Sequence, residues 1–120
     1  MNDKPLTSHD AAPALRISVV IPARNEASSI GRVVADVLGI HPEAEVIVVN
    51  DGSDDDTSRV ASDAGARLID HPYNKGNGAS IKAGARAATG DVLVLMDGDG
   101  QHRAEDISRL LNSYLGGYDM

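Results

Sequence analysis

The sequence predicts an α/β fold in which a parallel sheet is flanked by helices. Three observations support this prediction. Four short aliphatic runs alternate with four helix-like stretches, each run ends in polar or glycine-rich residues, and the apolar residues are almost all aliphatic. Alternating strands and helices favour a parallel sheet with right-handed crossovers, and strands buried on both faces have continuous β-branched sequences. The expected architecture is therefore Rossmann-like.

The composition limits the function classes open to the chain. Its 120 residues suffice for one domain, whose core must be aliphatic because there is no Phe and no Trp. A net charge of -7 argues against nucleic-acid binding, which neutralises phosphates with basic side chains. The lack of cysteine excludes disulfides and thiolate metal sites and favours a reducing, cytoplasmic location. No segment has the apolar length that a bilayer requires, and the N-terminus has no signal-peptide pattern.

The first strand is expected at residues 17–21, where Pro22 ends it, and the first helix at residues 26–38. Gly39 is a plausible stop for that helix. Its apolar residues recur at helical spacing and form one stripe: Ile30, Val33, Val34, Val37 and Leu38. Residues 1–14 have no apolar periodicity and are expected to form a flexible tail before a single α/β domain at residues 15–120.

The second strand is expected at residues 46–49, before a helix that ends near Gly65. Ser53 and Asp56 have the spacing of a capping box at the start of that helix. The third strand is expected at residues 67–69, and Gly84 would let the following helix, residues 79–88, approach the sheet closely. A fourth strand, residues 92–96, precedes a last helix with Ile107, Leu110, Leu111 and Tyr114 on one face.

Polar clusters follow all four predicted strands, at the carboxyl ends where parallel sheets bind ligands. The clusters lie at residues 22–26, 50–53, 74–78 and 97–100. Asp97 and Asp99 are close enough to share Mg²⁺ or Mn²⁺, which prefer oxygen ligands, and Gly98 leaves room for a ligand. A plain surface turn and a phosphatase with Asp97 as nucleophile remain alternatives. A calcium loop fails, because its sixth and twelfth positions hold His102 and Ser108.

The other clusters have both a functional and a structural interpretation. Asp51 could accept hydrogen bonds from a base or ribose, and Gly52 and Ser53 could expose backbone N–H groups at a helix start. Residues 22–26 could bind a ligand or simply begin a helix, and residues 75–78 could hold an anion or form an entry turn. The four histidines are interpreted as solvated loop residues: His9, His41, His71 and His102. Of these, only His102 merits a test.

Taken together, these clusters resemble the family 2 glycosyltransferases of the GT-A fold. The resemblance rests on four ordered motifs between about Ile17 and the C-terminus: residues 20–26, residues 45–57, residues 74–78 with Gly90-Asp91, and residues 97–99. The family often has Asp where this chain has Asn50. The Gly100-Gln101-His102 sequence is typical of the polyprenyl-phosphate (dolichyl or undecaprenyl) mannosyl- and glucosyltransferase branch.

The resemblance implies a site for a UDP- or GDP-sugar and for Mg²⁺ or Mn²⁺. It implies metal binding by Asp97 and Asp99 and sugar transfer with inversion of configuration. The implied nucleotide-binding residues are Pro22, Ala23, Arg24, Asn25, Glu26, Asp51, Gly52, Ser53, Lys75, Gly76, Gly78, Asp97 and Gly98.

The sequence stops at Met120, where the family would continue into its acceptor-binding half. We therefore expect donor binding by a shortened domain, with no catalytic base among these residues and no established turnover by this chain alone. The expected partners are a nucleotide-diphosphate sugar and a polyprenyl-phosphate acceptor, with peripheral attachment of the parent enzyme to the inner face of the membrane. Apolar surface left uncovered would favour self-association. A non-catalytic nucleotide-sugar-binding module is the alternative.

Overall fold

A computed structural model describes residues 15–99, and these residues form one parallel sheet with flanking helices. The elements in chain order are β1 (Ile17–Ala23), α1 (Ile30–Ile40), β2 (Glu45–Asp51), α2 (Thr57–Asp63), β3 (Arg67–His71), α3 (Asn77–Ala87) and β4 (Val92–Leu95). The predicted α/β class is confirmed. The predicted N-terminal tail, the last helix and the Gly100-Gln101-His102 sequence lie outside the described residues.

The strand order of the sheet is β3-β2-β1-β4, and all pairings are parallel. The chain first adds β2 and β3 on one side of β1 and then returns to place β4 on the other side. The direction of strand addition therefore reverses between β1 and β4. In open α/β sheets, ligands bind outside the carboxyl ends of the strands at such a switch point.

The core has two layers, one on each face of the sheet. Alternate residues of β1 point to opposite faces, so Val19 and Ile21 pack with α1 and α2 while Val20 packs with α3. The predicted stripe of α1 is confirmed, since Ile30, Val33, Val34 and Val37 are all buried. Aliphatic side chains thus fill both layers, as the composition requires.

β1 continues past its predicted end, because Pro22 lies within the strand and pairs with Val49 of β2. The carbonyl of Val20 accepts a hydrogen bond from Met96 N on the β4 side. Alternation directs the nitrogen of Pro22 to that same side, where β4 has already ended at Leu95. The missing N–H of proline therefore removes no ladder hydrogen bond.

α1 begins later and ends later than predicted. It starts at Ile30 because the amides of Glu26 and Ala27 donate to the side chains of Thr57 and Asp55, which holds the preceding residues in a turn. Gly39 lies inside the helix and is not its stop. The helix ends before His41, whose backbone leaves the helical region (φ -125°, ψ 75°) because Pro42 follows it.

The predicted capping box at Ser53 and Asp56 is wrong. α2 starts only at Thr57, and Asp56 makes no capping hydrogen bond through its side chain. Asp55 takes that part instead, since its Oδ1 accepts a hydrogen bond of 3.0 Å from Thr57 N and a second one from the Thr57 hydroxyl. Among the described helices, none is long and apolar enough to cross a membrane.

Candidate functional site

A pocket of about 450 Å³ lies at the carboxyl ends of the strands, beside the switch point between β1 and β4. All four predicted polar clusters contribute to its wall. Its lining residues are Pro22, Ala23, Arg24, Glu26, Asp51, Asn74, Gly76, Asn77, Ser80, Asp97, Gly98 and Asp99. The sheet thus brings together residues as far apart in sequence as Pro22 and Asp99, because the carboxyl ends of parallel strands lie side by side.

The segment Asp97-Gly98-Asp99 is held tightly against the loop that follows β1. Ser29 Oγ donates a hydrogen bond of 2.8 Å to the carbonyl of Gly98. A Cβ atom on Gly98 would lie 3.2 Å from Ala23 Cβ and 3.3 Å from Glu26 Oε2. Glycine therefore lets both aspartates stand at the pocket wall while the backbone between them packs against β1.

Glu26 adds a third carboxylate to this side of the pocket. Its Oε2 atom is buried and has no hydrogen-bond partner among the described residues. Burial raises the pKa of Glu26, and the negative charges of Asp99 and Asp97 raise it further. The ionised form of Glu26 is therefore disfavoured beside Asp97 and Asp99.

A divalent cation fits this chemistry. Carboxylate oxygens are the ligands that Mg²⁺ and Mn²⁺ prefer, and a cation would offset the repulsion around Glu26. Within residues 15–99, no three acidic or histidine side chains already converge as a complete set of metal ligands. Two carboxylates would be enough for Mg²⁺, which proteins commonly bind through one or two carboxylates together with water and substrate phosphates.

Asp51 forms a second polar centre at the end of β2. Its Oδ1 atom lies 2.9 Å from His71 Nδ1 and 2.8 Å from Lys75 N, and its Oδ2 atom lies 2.9 Å from Gly76 N. Burial acts to raise the pKa of Asp51, but the hydrogen bonds from His71, Lys75 and Gly76 outweigh it, so the pKa is lowered. Asp51 is therefore a buried, ionised carboxylate with several donors.

The interpretation of His71 as a solvated loop residue is wrong. His71 is the last residue of β3, and its side chain is only 9% exposed. Asp51 and His71 are paired in the parallel register of β2 and β3, which brings their side chains together. The signal was present in the sequence, since both residues follow aliphatic runs, but the register that joins them was not.

Five of the predicted nucleotide-binding residues are absent from the pocket wall: Asn25, Gly52, Ser53, Lys75 and Gly78. Asn25 and Ser53 instead join two loops, because Asn25 N donates to Ser53 Oγ at 2.9 Å and Asn25 Oδ1 accepts from Asp54 N at 2.7 Å. Asn25 adopts a left-handed backbone (φ 55°), which asparagine tolerates better than most residues. These hydrogen bonds join the loop after β1 to the loop after β2, so Asn25 and Ser53 support the pocket wall without lining it.

Gly52 also supports the pocket wall without lining it. It has φ 73°, and a Cβ atom there would lie 2.6 Å from the backbone of Tyr73 and of Asn74. Lys75 extends toward Tyr73, with its Nζ atom 5.5 Å from the centre of that ring. The loop that carries Asn74 is thus packed directly on the end of β2.

Three wall residues were not predicted as site residues: Asn74, Asn77 and Ser80. Asn74 and Asn77 belong to a cluster that was singled out, but only its lysine and glycines were assigned a role. Ser80 is fully buried, and its Oγ donates a hydrogen bond of 3.1 Å to the carbonyl of Gly76. Ser80 follows Gly76 by four residues, and this helical spacing indicates that both lie on the same face at the start of α3.

The sequence of this chain is similar to the sequences of known glycosyltransferases. The sequence profile of glycosyl transferase family 2 matches residues 18–120. An undecaprenyl-phosphate 4-deoxy-4-formamido-L-arabinose transferase from Aeromonas hydrophila is 36% identical, over 87% of this chain and 35% of its own length. A dolichyl-phosphate beta-glucosyltransferase from Trichomonas vaginalis is 30% identical, over 83% of this chain and 35% of its own length.

Two solved structures extend the comparison to three dimensions. A mycobacterial protein superposes with a TM-score of 0.74 and 30% identity, covering 85% of this chain and 37% of the other. The glucosyl-3-phosphoglycerate synthase of Mycobacterium tuberculosis, crystallised with Mn²⁺, UDP-glucose and phosphoglyceric acid, superposes with a TM-score of 0.62 and 32% identity. That match covers 70% of this chain and 33% of the synthase.

The parallel sheet, with its polar pocket at the switch point, defines an α/β protein of the GT-A glycosyltransferase class. The chain belongs to glycosyl transferase family 2. It spans about a third of the length of the curated relatives described above.

Proposed function

We propose that the pocket binds a nucleotide-diphosphate sugar, a UDP- or GDP-sugar, together with Mg²⁺ or Mn²⁺. The observation that carries the proposal is the single pocket wall on which Asp97, Gly98 and Asp99 face the loop after β1, beside the switch point. The UDP-glucose and Mn²⁺ complex of the synthase that is 32% identical supports the class of ligand.

Asp97 and Asp99 would hold the metal ion, with Glu26 contributing negative charge beside them. Such an ion neutralises the diphosphate and stabilises the leaving group as its charge develops. Pro22 and Ala23 at the end of β1, together with the lining residues of the loop that follows, would enclose the base and ribose. Arg24 is the basic residue among those that line the pocket, so its guanidinium is suited to a phosphate or a base edge.

The N-terminus of α3 forms another part of the pocket wall. Gly76 is its N-cap residue with φ 100°, and the helix runs for 11 residues. Gly76, Asn77 and Ser80 all line the pocket. Because a helix N-terminus carries partial positive charge, this wall favours an anionic group such as a diphosphate.

The parent reaction is then inverting sugar transfer to an acceptor such as a polyprenyl phosphate. Support comes from relatives that are named as undecaprenyl-phosphate and dolichyl-phosphate transferases. A lipid-linked acceptor would place the parent enzyme in the cytoplasm at the inner face of the membrane, and a homo-oligomer is compatible with this role. The catalytic base is expected among residues outside this chain, since the relatives are about three times as long.

Calorimetry on the full chain with UDP and with GDP, each with and without Mn²⁺, tests the donor site. We expect one nucleotide to bind only with the metal, and Asp97→Asn and Asp99→Asn each to weaken that binding by about tenfold or more. Asp36→Asn is the matched control, because it removes the same charge from an exposed position on α1.

Absence of binding to both nucleotides, in a protein shown to be folded, would contradict the proposed donor site. Sugar transfer to a polyprenyl phosphate distinguishes an enzyme from a non-catalytic nucleotide-sugar-binding module.

A further inference from the structure

We propose that Asp51 and His71 form a positioning pair that fixes the turn at residues 75–76 and, through it, the N-terminus of α3 at the pocket wall. The proposal rests on the proposed donor site for its functional consequence. It assigns a role to His71, which no sequence motif singled out, and it gives Asp51 a part in shaping the site beside its predicted contact with the nucleotide.

The contacts of Asp51 are divided between a strand and a turn. On one side its Oδ1 atom accepts a hydrogen bond from His71 Nδ1, at 2.9 Å. On the other side its two oxygens accept from the backbone amides of Lys75 and Gly76, at 2.8 and 2.9 Å. One carboxylate therefore ties the end of β3 to the turn that begins α3.

Both side chains are buried, with 8% of Asp51 and 9% of His71 exposed. An ionised carboxylate is only an acceptor, so His71 Nδ1 must carry the proton that it shares with Asp51. The imidazole is thereby held in one orientation, and it in turn orients the carboxylate toward the turn. A buried charge without such donors would be costly, which makes the pair mutually dependent.

The turn matters because the pocket wall is built directly on it. The carbonyl of Gly76 accepts hydrogen bonds from Ser80 N and Ser80 Oγ, both at 3.1 Å. Gly76, Asn77 and Ser80 all line the pocket. A shift of the two amides held by Asp51 would therefore displace the wall proposed to face the diphosphate.

The amides of Lys75 and Gly76 point at Asp51, so they serve the carboxylate and not an external anion. Of the two interpretations of residues 75–78, these contacts favour the entry turn over a direct anion site. Asp51 uses both of its oxygens in these bonds and also lines the pocket. A positioning role for Asp51 and His71 is therefore compatible with a direct contact between Asp51 and the base or ribose.

The test compares His71→Ala with His71→Asn in the full 120-residue chain. The alanine variant removes the donor to Asp51, whereas the short amide of asparagine can donate from a position close to that of Nδ1. His41→Ala is the control, because His41 follows α1 and is not among the residues that line the pocket. Two quantities are measured: hydrogen exchange of the Lys75 and Gly76 amides by NMR, and the Kd for UDP and GDP with Mn²⁺ by calorimetry.

We expect His71→Ala to speed exchange of both amides and to weaken nucleotide binding by about tenfold, the effect of losing one hydrogen bond to a charged group. His71→Asn should recover most of both losses, and His41→Ala should change neither. Global stability is followed by thermal unfolding, since a purely structural role would lower Tm and leave the Kd of the folded protein unchanged.

Unchanged exchange of the Lys75 and Gly76 amides in His71→Ala would overturn the proposal, and so would unchanged affinity alongside faster exchange. Failure of the wild-type chain to bind either nucleotide would instead contradict the proposed donor site. In that case the exchange rates alone decide whether the pair positions the turn.

Discussion

Asn50 and Asp70, which are paired in the register of β2 and β3, are joined by a hydrogen bond of 3.0 Å from Asn50 Nδ2 to Asp70 Oδ1. The other atom of the amide, Oδ1, accepts from Ser53 N at 3.2 Å and from the Ser53 hydroxyl. Asn50 thus uses a donor and an acceptor at once. This explains why asparagine stands here although the family often has aspartate, since a carboxylate could not donate to Asp70.

Replacing Asn50 by aspartate is expected to destabilise the fold. Asn50→Asp would place two carboxylates at hydrogen-bond distance and remove the donor to Asp70, at a position that is only 8% exposed. We expect a loss of about 1–3 kcal/mol in the free energy of unfolding, measured by urea titration at neutral pH.

A second substitution tests the cause of that loss. In Asn50→Asp combined with Asp70→Asn, the donor and the acceptor have exchanged places, and most of the lost stability should return. Asp70 also accepts from Ser58 Oγ at 2.7 Å, so Asp70→Asn alone provides the reference for that contact. A double variant as unstable as the sum of the two single variants would contradict the charge argument.

Gly84 is expected to tolerate no larger side chain. A Cβ atom at Gly84 would lie 2.3 Å from Val20 Cγ1, because α3 packs closely on β1. Gly84→Ala should therefore destabilise the fold by about 1–3 kcal/mol in urea unfolding, despite the higher helix propensity of alanine.

Gly39→Ala is the matched comparison within α1, where nothing lies within 4 Å of the added Cβ atom. It should stabilise the fold, by about 0.5–1 kcal/mol. Equal effects of the two substitutions would refute the close approach of α3 to the sheet.

Glu45 is expected to make part of the stability dependent on pH. The backbone amide of Thr89 lowers the pKa of Glu45, and the hydrogen bonds from Ser18 and Arg67 add to this against the opposing effect of burial. Because the pKa is lower in the folded state, the stabilisation is present above the ordinary value of 4.5 and is lost as the pH falls below it.

Urea unfolding at a series of pH values checks this sign. Wild type should exceed Glu45→Gln in stability at pH 7, and the difference should shrink as the pH falls below 4.5. Glu43→Gln removes the same charge from an exposed neighbour and serves as control. A difference that grows on acidification would contradict the hydrogen-bonded carboxylate.

Glu26 is expected to make stability depend on pH in the opposite direction to Glu45. Burial first, and then Asp99 and Asp97, raise the pKa of Glu26, so the folded state holds its proton to higher pH than the unfolded chain does. Stability therefore falls as the pH rises above 4.5 through the raised pKa. Without metal at pH 7, Glu26→Gln should raise Tm by about 2–4 °C.

With Mn²⁺ bound, wild type is expected to be more stable than Glu26→Gln. The cation would offset the charges of Glu26, Asp97 and Asp99, so it should raise the Tm of wild type more than that of Glu26→Gln. Thermal unfolding with and without Mn²⁺ measures both effects, and Mg²⁺ provides a second cation of the same charge. An equal rise in Tm for both proteins would contradict a contribution of Glu26 to the metal site.

Several features of the fold could be predicted because they depend on local sequence. Aliphatic runs gave the four strands, and the stripe on α1 was correct because helical periodicity determines which residues face the sheet. Element ends were less accurate. Pro22 was predicted to end β1, and Ser53 to cap α2, because both predictions used only local preferences.

The sequence by itself determined the fold class and the edge of the sheet at which polar residues gather, since strands of aliphatic runs must be covered by helices and parallel strands end together. Only the tertiary structure decided which polar residues face the pocket and which support it. Strand register joined Asp51 to His71 and Asn50 to Asp70. Such pairs lie 20 residues apart in sequence and meet only after β2 and β3 have aligned, so no local pattern could specify them.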